Sequence, residues 1–255
     1  RKKPRLVSAT SLRVKNTVSG ALRVPDSNVV ITGYPRNDVF FAQKREKTPL
    51  EAGLLLRDRK DRRLGIYMPT HRREGRLDVL SLFFGEMDSI NSRLREQRVI
   101  LLVKVHYYHL EEMQKNPSEY SNIYFIQDKD VEQDIYSLLP AVDFLVTDYS
   151  SVYFDYLLLD RPIIFAPFDM EEYLRDDREL YYGYNDVTPG PKAGNWDEVL
   201  KYIGESLSFP ERYARERDRV REMFHTYCDG HSSERVYKEI LGILQAKPLG
   251  AARKR

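Results

Sequence analysis

Four polar side chains, Thr147, Asp148, Ser150 and Ser151, stand within five residues, directly after the apolar run Phe144–Val146. A buried strand that empties into hydroxyls and then into a helix is a place where an anion binds. The start of a helix offers unpaired N–H groups and the positive end of its dipole, and the hydroxyls add donors. Ser and Asp at such a turn also serve as ordinary N-caps, worth about 1 kcal/mol. One cap needs one side chain, and here four crowd a single strand exit.

Three further clusters repeat the pattern. Lys104 and His106 are two residues apart, so within a strand they share a face. A cation and an imidazole there suit charge on phosphate oxygens, and the imidazole can also move a proton near neutral pH. A structural histidine is the competing reading. Thr70-His71-Arg72-Arg73 supplies a hydroxyl and guanidinium groups that match phosphate in a bidentate way. Asp229-Gly230-His231-Ser232-Ser233 precedes the last helical segment. There Asp229 or Ser232 reads as an N-cap, and Ser232 and Ser233 read equally as anion donors.

The histidines are His71, His106, His109, His225 and His231, and none falls in a metal-binding spacing. There is no Cys-x-x-Cys, no P-loop and no G-x-G-x-x-G. Phosphate binding therefore rests on hydroxyls, helix ends and basic side chains. The expected ligand is a nucleotide-diphosphate donor handled without a tightly held metal and without a cofactor.

The elements that position these residues follow from the hydrophobic pattern. Runs at 28–32, 64–70, 99–105, 123–126, 144–147 and 163–166 read as strands. Helical material at 77–97, 109–115, 131–139 and 152–159 separates most of them. Such alternation implies a parallel sheet covered by helices, an α/β fold. Asp38 is placed to cap a helix running to about Lys44, and residues 46–63 read as a helix and linker. Residues 1–28 show no firm element, and 181–191 read as an irregular loop. Three helices, 196–207, 210–227 and 232–245, close the chain.

With 42% hydrophobic and 31% charged residues in 255, the chain is a globular protein with a sizeable core. A balance of 41 basic against 39 acidic residues gives +2, too little for a polyanion-binding field, and no nucleic-acid partner is expected. No apolar run reaches the ~18–20 residues of a membrane span. The single cysteine, Cys228, fits a reducing cytoplasm. Basic residues at both ends read as solvated tails, with contact to an anionic lipid surface as the alternative.

Taken together, GYPRND at 33–38, YMPTHR at 67–72, KVH at 104–106, TDYSSVYFDYLLLDRPIIF at 147–165, PGP at 189–191 and DGHSSERV at 229–236 form an ordered set. By that set the chain resembles the CDP-glycerol glycerophosphotransferase family of teichoic-acid and capsule polymerases, which are GT-B-like. The resemblance implies a parallel-sheet, nucleotide-binding lobe of GT-B type with a helical carboxy-terminal segment. It implies transfer of glycerol phosphate, or a related polyol phosphate, from a CDP-linked donor to a polymer or lipid-linked acceptor, with release of CMP. Lys104 and His106 would be catalytic at the donor phosphates. Thr147, Asp148, Ser150 and Ser151 would bind substrate, Ser232 and Ser233 would close the pocket, and Thr70 and Arg72 would lie at its rim.

Two positions depart from the family pattern, His71 where Trp is common and Tyr107 where Pro follows the histidine. The Trp-His-Gly motif of the family's amino-terminal half is absent, because the one tryptophan is Trp196 in Asn-Trp-Asp. The resemblance thus makes residues 1–45 a remnant or linker from a preceding amino-terminal domain and 46–255 the donor domain. It places the protein in the cytoplasm, with peripheral contact at the inner membrane surface. A GT-B glycosyltransferase using a nucleotide sugar, and a donor lobe inactive without its partner domain, remain alternatives.

The absence of a carboxylate cluster makes one prediction. Cytidine nucleotide titrated calorimetrically should bind about equally in EDTA and in magnesium. A large loss of affinity on chelation would reveal a metal-mediated pocket.

Overall fold

Continuous apolar runs become parallel strands, and the sheet they form sets every exit described below. The computed structural model describes residues 4–42, 62–70, 72, 79–104, 120–126, 134–176 and 179–245. His71, His106 and the segments expected as helices at 46–61 and 109–115 lie outside the described residues. The chain divides into two units, Arg1–Arg45 with Glu222–Arg255, and Glu46–Arg221.

In the first unit β1 (Val7–Ala9) pairs in parallel with β2 (Val29–Ile31), joined by the helix Leu12–Leu22. Ala9, Val24 and Val29 make its small core. The sequence showed no firm element before residue 28, because a three-residue strand has no period to read. The helix carries Val, Thr, Ser and Gly, all of which lower helix propensity. Ser11 caps it: the hydroxyl accepts from Val14 N–H at 3.3 Å and donates to the Met223 carbonyl at 3.0 Å.

Asp38 does cap a helix, but not the one expected. Pro35–Phe41 is a 3₁₀ segment, and the Asp38 carboxylate accepts from the backbone N–H groups of Ser232 (2.9 Å) and Ser233 (2.7 Å). It therefore caps the helix Ser232–Gln245 from 194 residues away. Gly33 is required by the same contact. Its φ is +77°, and a Cβ there would overlap the Ser232 hydroxyl.

The second unit holds β3 (Arg63–Met68), β4 (Val99–Lys104), β5 (Ile123–Ile126), β6 (Phe144–Thr147) and β7 (Ile163–Phe165). All pairings are parallel, in the order β5-β4-β3-β6-β7. The strands read as unbroken apolar runs because both faces are covered. On one face the helices Val79–Gly85, Met87–Glu96 and Trp196–Ser208 bury Phe83, Ile90, Leu94, Trp196 and Ile203 against Leu101, Val103 and Val146. The PGP stretch extends the edge of β7: Phe165 N–H donates to Pro191 O and Ala193 N–H to Phe165 O. Gly190 approaches the Ile163 carbonyl too closely for any Cβ. Among the described residues no helix is long and apolar enough to cross a membrane.

The remote cap carries a pH dependence. Burial pushes Asp38 up, but hydrogen bonds from Ser233 and Ser232 outweigh it and hold the carboxyl below its ordinary value. A depressed carboxylate stabilises the fold above its unfolded pKa near 4 and loses that contribution as pH falls through the folded value. Asp38→Ala should cost about 1–2 kcal/mol at pH 7 in urea denaturation. The gap from wild type should narrow below about pH 4; a gap independent of pH would contradict the cap.

Candidate functional site

The order β5-β4-β3-β6-β7 reverses direction between β3 and β6. From β3 the chain steps to β4 and β5 on one side, and from β6 to β7 on the other. In open α/β sheets ligands bind outside the carboxyl ends of the strands at such a reversal. Met68 pairs with Thr147 in register, so the exits of β3 and β6 lie side by side. Thr70 and Arg72 leave one, and Asp148, Ser150 and Ser151 leave the other.

Arg72 ties these exits together. Its Nε and one terminal nitrogen form a fork on Asp169, at 2.7 and 2.8 Å. The same terminal nitrogen reaches Asp148 at 2.8 Å, and the other donates to the Thr70 carbonyl at 2.6 Å. The guanidinium carbon sits 5.1 and 5.0 Å from the Tyr149 and Tyr173 ring centres, and those two rings stack at 4.1 Å. Burial works against the charge on Arg72, but the bond to Asp169 and the charges of Asp148 and Asp169 outweigh it and raise its pKa. Arg72 stays a cation.

Asp148 is equally committed. It is 1% exposed and accepts from Thr70 N–H (2.9 Å), Thr70 Oγ1 (2.6 Å) and Tyr149 N–H (2.6 Å) as well as Arg72. The sequence expectation put Arg72 at the rim and Asp148 on substrate. The structure corrects both: they are buried and hold the two exits in place. Thr147 is also fully buried, and its hydroxyl donates to Met68 O at 2.7 Å, a tie from β6 to β3. Its hydrogen is spent on the sheet.

Ser150 and Ser151 differ from all of these. Neither hydroxyl is held by another described side chain, and Ser151, at the start of the helix Val152–Tyr156, makes no capping bond. The capping alternative therefore does not account for them. Both line a cavity of about 370 Å³ with Thr70, Tyr149, Tyr153, Phe154, Tyr173, Glu179, Leu180, Tyr181, Tyr182, Tyr184 and Val187. Tyr184 donates to the Asp148 carbonyl at 3.0 Å, and Tyr149 reaches Asp169 at 3.2 Å. Burial above all keeps Tyr149, Tyr153 and Tyr184 protonated, their pKa values pushed well above the usual phenol range.

Lys104 ends β4 at the same edge of the sheet and is half-buried. His106 lies outside the described residues. Ser232 and Ser233 belong to the other unit, where the expected anion at their helix start is the carboxylate of Asp38 itself. A carboxylate of the chain itself thus occupies the backbone N–H groups at that helix start. Asp169 and the tyrosines were missed. Asp169 pairs across 97 residues, and nothing local marks it. The tyrosines were visible as a cluster at 181–184, in a stretch read only as a loop.

Side-chain replacement should separate the two groups. Arg72→Ala leaves two buried carboxylates without their cation and should cost about 3–5 kcal/mol of stability. Ser151→Ala removes no cap and should change stability by less than about 0.5 kcal/mol. Thermal and urea unfolding of both variants checks this, and a Ser151→Ala loss near 1 kcal/mol would restore the cap.

A family model described as CDP-glycerol:poly(glycerophosphate) glycerophosphotransferase matches residues 3–242. A teichoic acid poly(ribitol-phosphate) polymerase of Bacillus spizizenii is 31% identical over 250 residues, which are 95% of this chain and 38% of that protein. A teichoic acid poly(glycerol phosphate) polymerase of the same organism is 30% identical over 217 residues, 83% of this chain and 52% of that protein. The chain thus spans about half the length, or less, of these curated relatives. Among solved structures, the wall teichoic acid polymerase TagF, soaked with CDPG, superposes with a TM-score of 0.78 at 24% identity, over 94% of this chain and 58% of that one. A UDP-N-acetylglucosamine 2-epimerase superposes at 0.55 and 15% identity, over 97% of this chain and 60% of that one. These two likenesses are likenesses of fold, and they agree with the parallel α/β sheet expected from the sequence. With all but the ends of its sequence matched, the chain belongs to the CDP-glycerol:poly(glycerophosphate) glycerophosphotransferase family.

Proposed function

We propose that this chain is the donor-binding part of an enzyme that transfers glycerol phosphate, or a related polyol phosphate, from a CDP-linked donor to a growing teichoic-acid-like or capsule polymer, releasing CMP. The observation that carries this reading is the cavity at the strand-order reversal, with the Ser150 and Ser151 hydroxyls uncommitted at its wall. Family membership and the names of the polymerase relatives support it.

In this reading the acceptor hydroxyl oxygen attacks the β-phosphorus of the donor. A new P–O bond forms, the bond to the CMP oxygen breaks, and the hydroxyl proton leaves to a base. Lys104 and His106 stabilise charge on the transferring phosphoryl group, and positioning with fixed electrostatics accounts for most of the rate. Thr70, Ser150 and Ser151 hold the donor, on a floor that Arg72, Asp148 and Thr147 keep rigid. Residues from about 46 onward act as the donor domain, 1–45 as the link to an amino-terminal domain, and the acceptor is polymeric or lipid-linked. The work takes place at the cytoplasmic face of a membrane that the protein touches peripherally.

Calorimetry with CMP and CDP on this chain tests the donor site, and both should bind. A panel of CDP-glycerol, CDP-ribitol and nucleotide sugars, offered to the full-length parent, tests the reaction. Turnover with nucleotide sugars alone would overturn the phosphotransferase reading in favour of a glycosyltransferase.

A further inference from the structure

The short helix Tyr184–Val187 runs into a motif poor in hydrogen-bond donors. In Pro189-Gly190-Pro191 two of the three residues have no N–H to give, yet every residue from Val187 to Pro191 is buried. Side chains supply the missing donors. Thr188 Oγ1 donates to the Tyr184 carbonyl at 2.6 Å. The Lys192 ammonium turns back over the motif and donates to the carbonyls of Thr188 (2.6 Å) and Gly190 (3.1 Å). Among the described residues no carboxylate pairs with Lys192, and burial pushes its pKa below the ordinary lysine value. Its charge faces main-chain carbonyls at a helix end, which lysines can cap. The turn that it closes carries part of the cavity wall. Tyr184 lines the cavity, and its hydroxyl donates to the Asp148 carbonyl at 3.0 Å. The Tyr184 ring packs edge-on against Phe165 at 6.1 Å, and the Lys192 ammonium lies 5.7 Å from the centre of that same Phe165 ring.

We propose that Lys192 is a positioning residue of the donor site: by closing the Pro-Gly-Pro turn it fixes Tyr184, and through Tyr184 the wall beside Asp148. The inference rests on the donor-binding reading above. Lys192 is not among the residues that line the cavity, so it acts through the turn. Two links lead from it to Tyr184. One runs along the main chain, where Thr188 gives its carbonyl to Lys192 and its hydroxyl to the Tyr184 carbonyl. The other runs through the Phe165 ring, which both side chains meet. A methionine at position 192 would keep the apolar stem and donate nothing. The carbonyl of Gly190 would then lose its donor in a buried turn, an unfavourable state that the turn escapes only by shifting. Tyr184 moves with it.

The test measures CMP affinity calorimetrically on the full chain, well below the melting temperature. It compares wild type, Lys192→Met, Tyr184→Phe and the double variant. Each single substitution should weaken CMP binding roughly fivefold, the scale of one hydrogen bond. Because both act on one wall, the double variant should lose no more than the weaker-binding single variant, where independent sites would multiply their losses. A residue that only supports the fold would lower the melting temperature and leave the affinity of the folded protein unchanged. Thr188→Val, which removes the hydroxyl link to the Tyr184 carbonyl, carries the same cycle if Lys192→Met does not fold. Unchanged CMP affinity in the variant of this turn overturns the positioning role. Losses that multiply in the double variant, or a Tyr184→Phe that binds like wild type, overturn the route through Tyr184. No binding of CMP by the wild-type chain removes the donor reading, and the positioning role with it.

Discussion

The buried guanidinium of Arg72 is the constraint on which the site depends. It joins three strand exits at once: its own after β3, that of β6 through Asp148, and that of β7 through Asp169. Desolvating three charges is expensive, and a hydrophobic substitute of the same shape is often as stable. What an ion cluster supplies instead is geometry. A planar fork with five donors can meet two carboxylates and a carbonyl in fixed directions while lying against two rings. A lysine ammonium, a point charge on a flexible stem, cannot do so. The consequence is local order, because Thr70 and Tyr149 take their positions from the same carboxylate that Arg72 holds.

Serine pairs at the two helix starts show how one residue type acquires opposite meanings. At Ser232 and Ser233 the protein supplies its own anion, and the Asp38 carboxylate satisfies the N–H groups of the first turn. The last helix is thereby pinned to the 3₁₀ segment after β2, and Gly33 is needed for the fit. At Ser150 and Ser151 no described protein group accepts the hydroxyls, and both residues line the cavity. An unpaired polar group beside a cavity is the commoner sign of a ligand; a paired one is the sign of an internal tie.

These differences explain what could be read from the sequence. All five strands of the larger sheet were legible, because each is an apolar run bounded by turn residues. The crowding of polar residues at Thr70 and Thr147 was legible too, since strand ends in a parallel sheet converge. The division of labour was not. Thr147 and Ser150 look alike in sequence, yet one hydroxyl bridges two strands and the other faces the cavity. Asp38 and Asp169 owe their roles to partners 194 and 97 residues distant. No local pattern encodes such pairings, and β1 escaped notice because three residues carry no periodicity.

A nucleotide-linked donor, as proposed for this chain, has two parts with different needs, a base and a phosphoryl group. Contacts to a base remain the same while the phosphoryl group moves, so they stabilise bound substrate and transition state alike and do not by themselves accelerate the chemical step. Charge near phosphorus is different, because it can be worth more as the bond to the leaving oxygen breaks. In the proposed reading, acceleration falls to charged groups such as Lys104, at the end of β4. Among the described residues that line the cavity there is no cation, and the buried cluster beside it keeps its own partners. A lysine placed there would compete with Arg72 for Asp148 and Asp169 and loosen the floor that both parts of the site share.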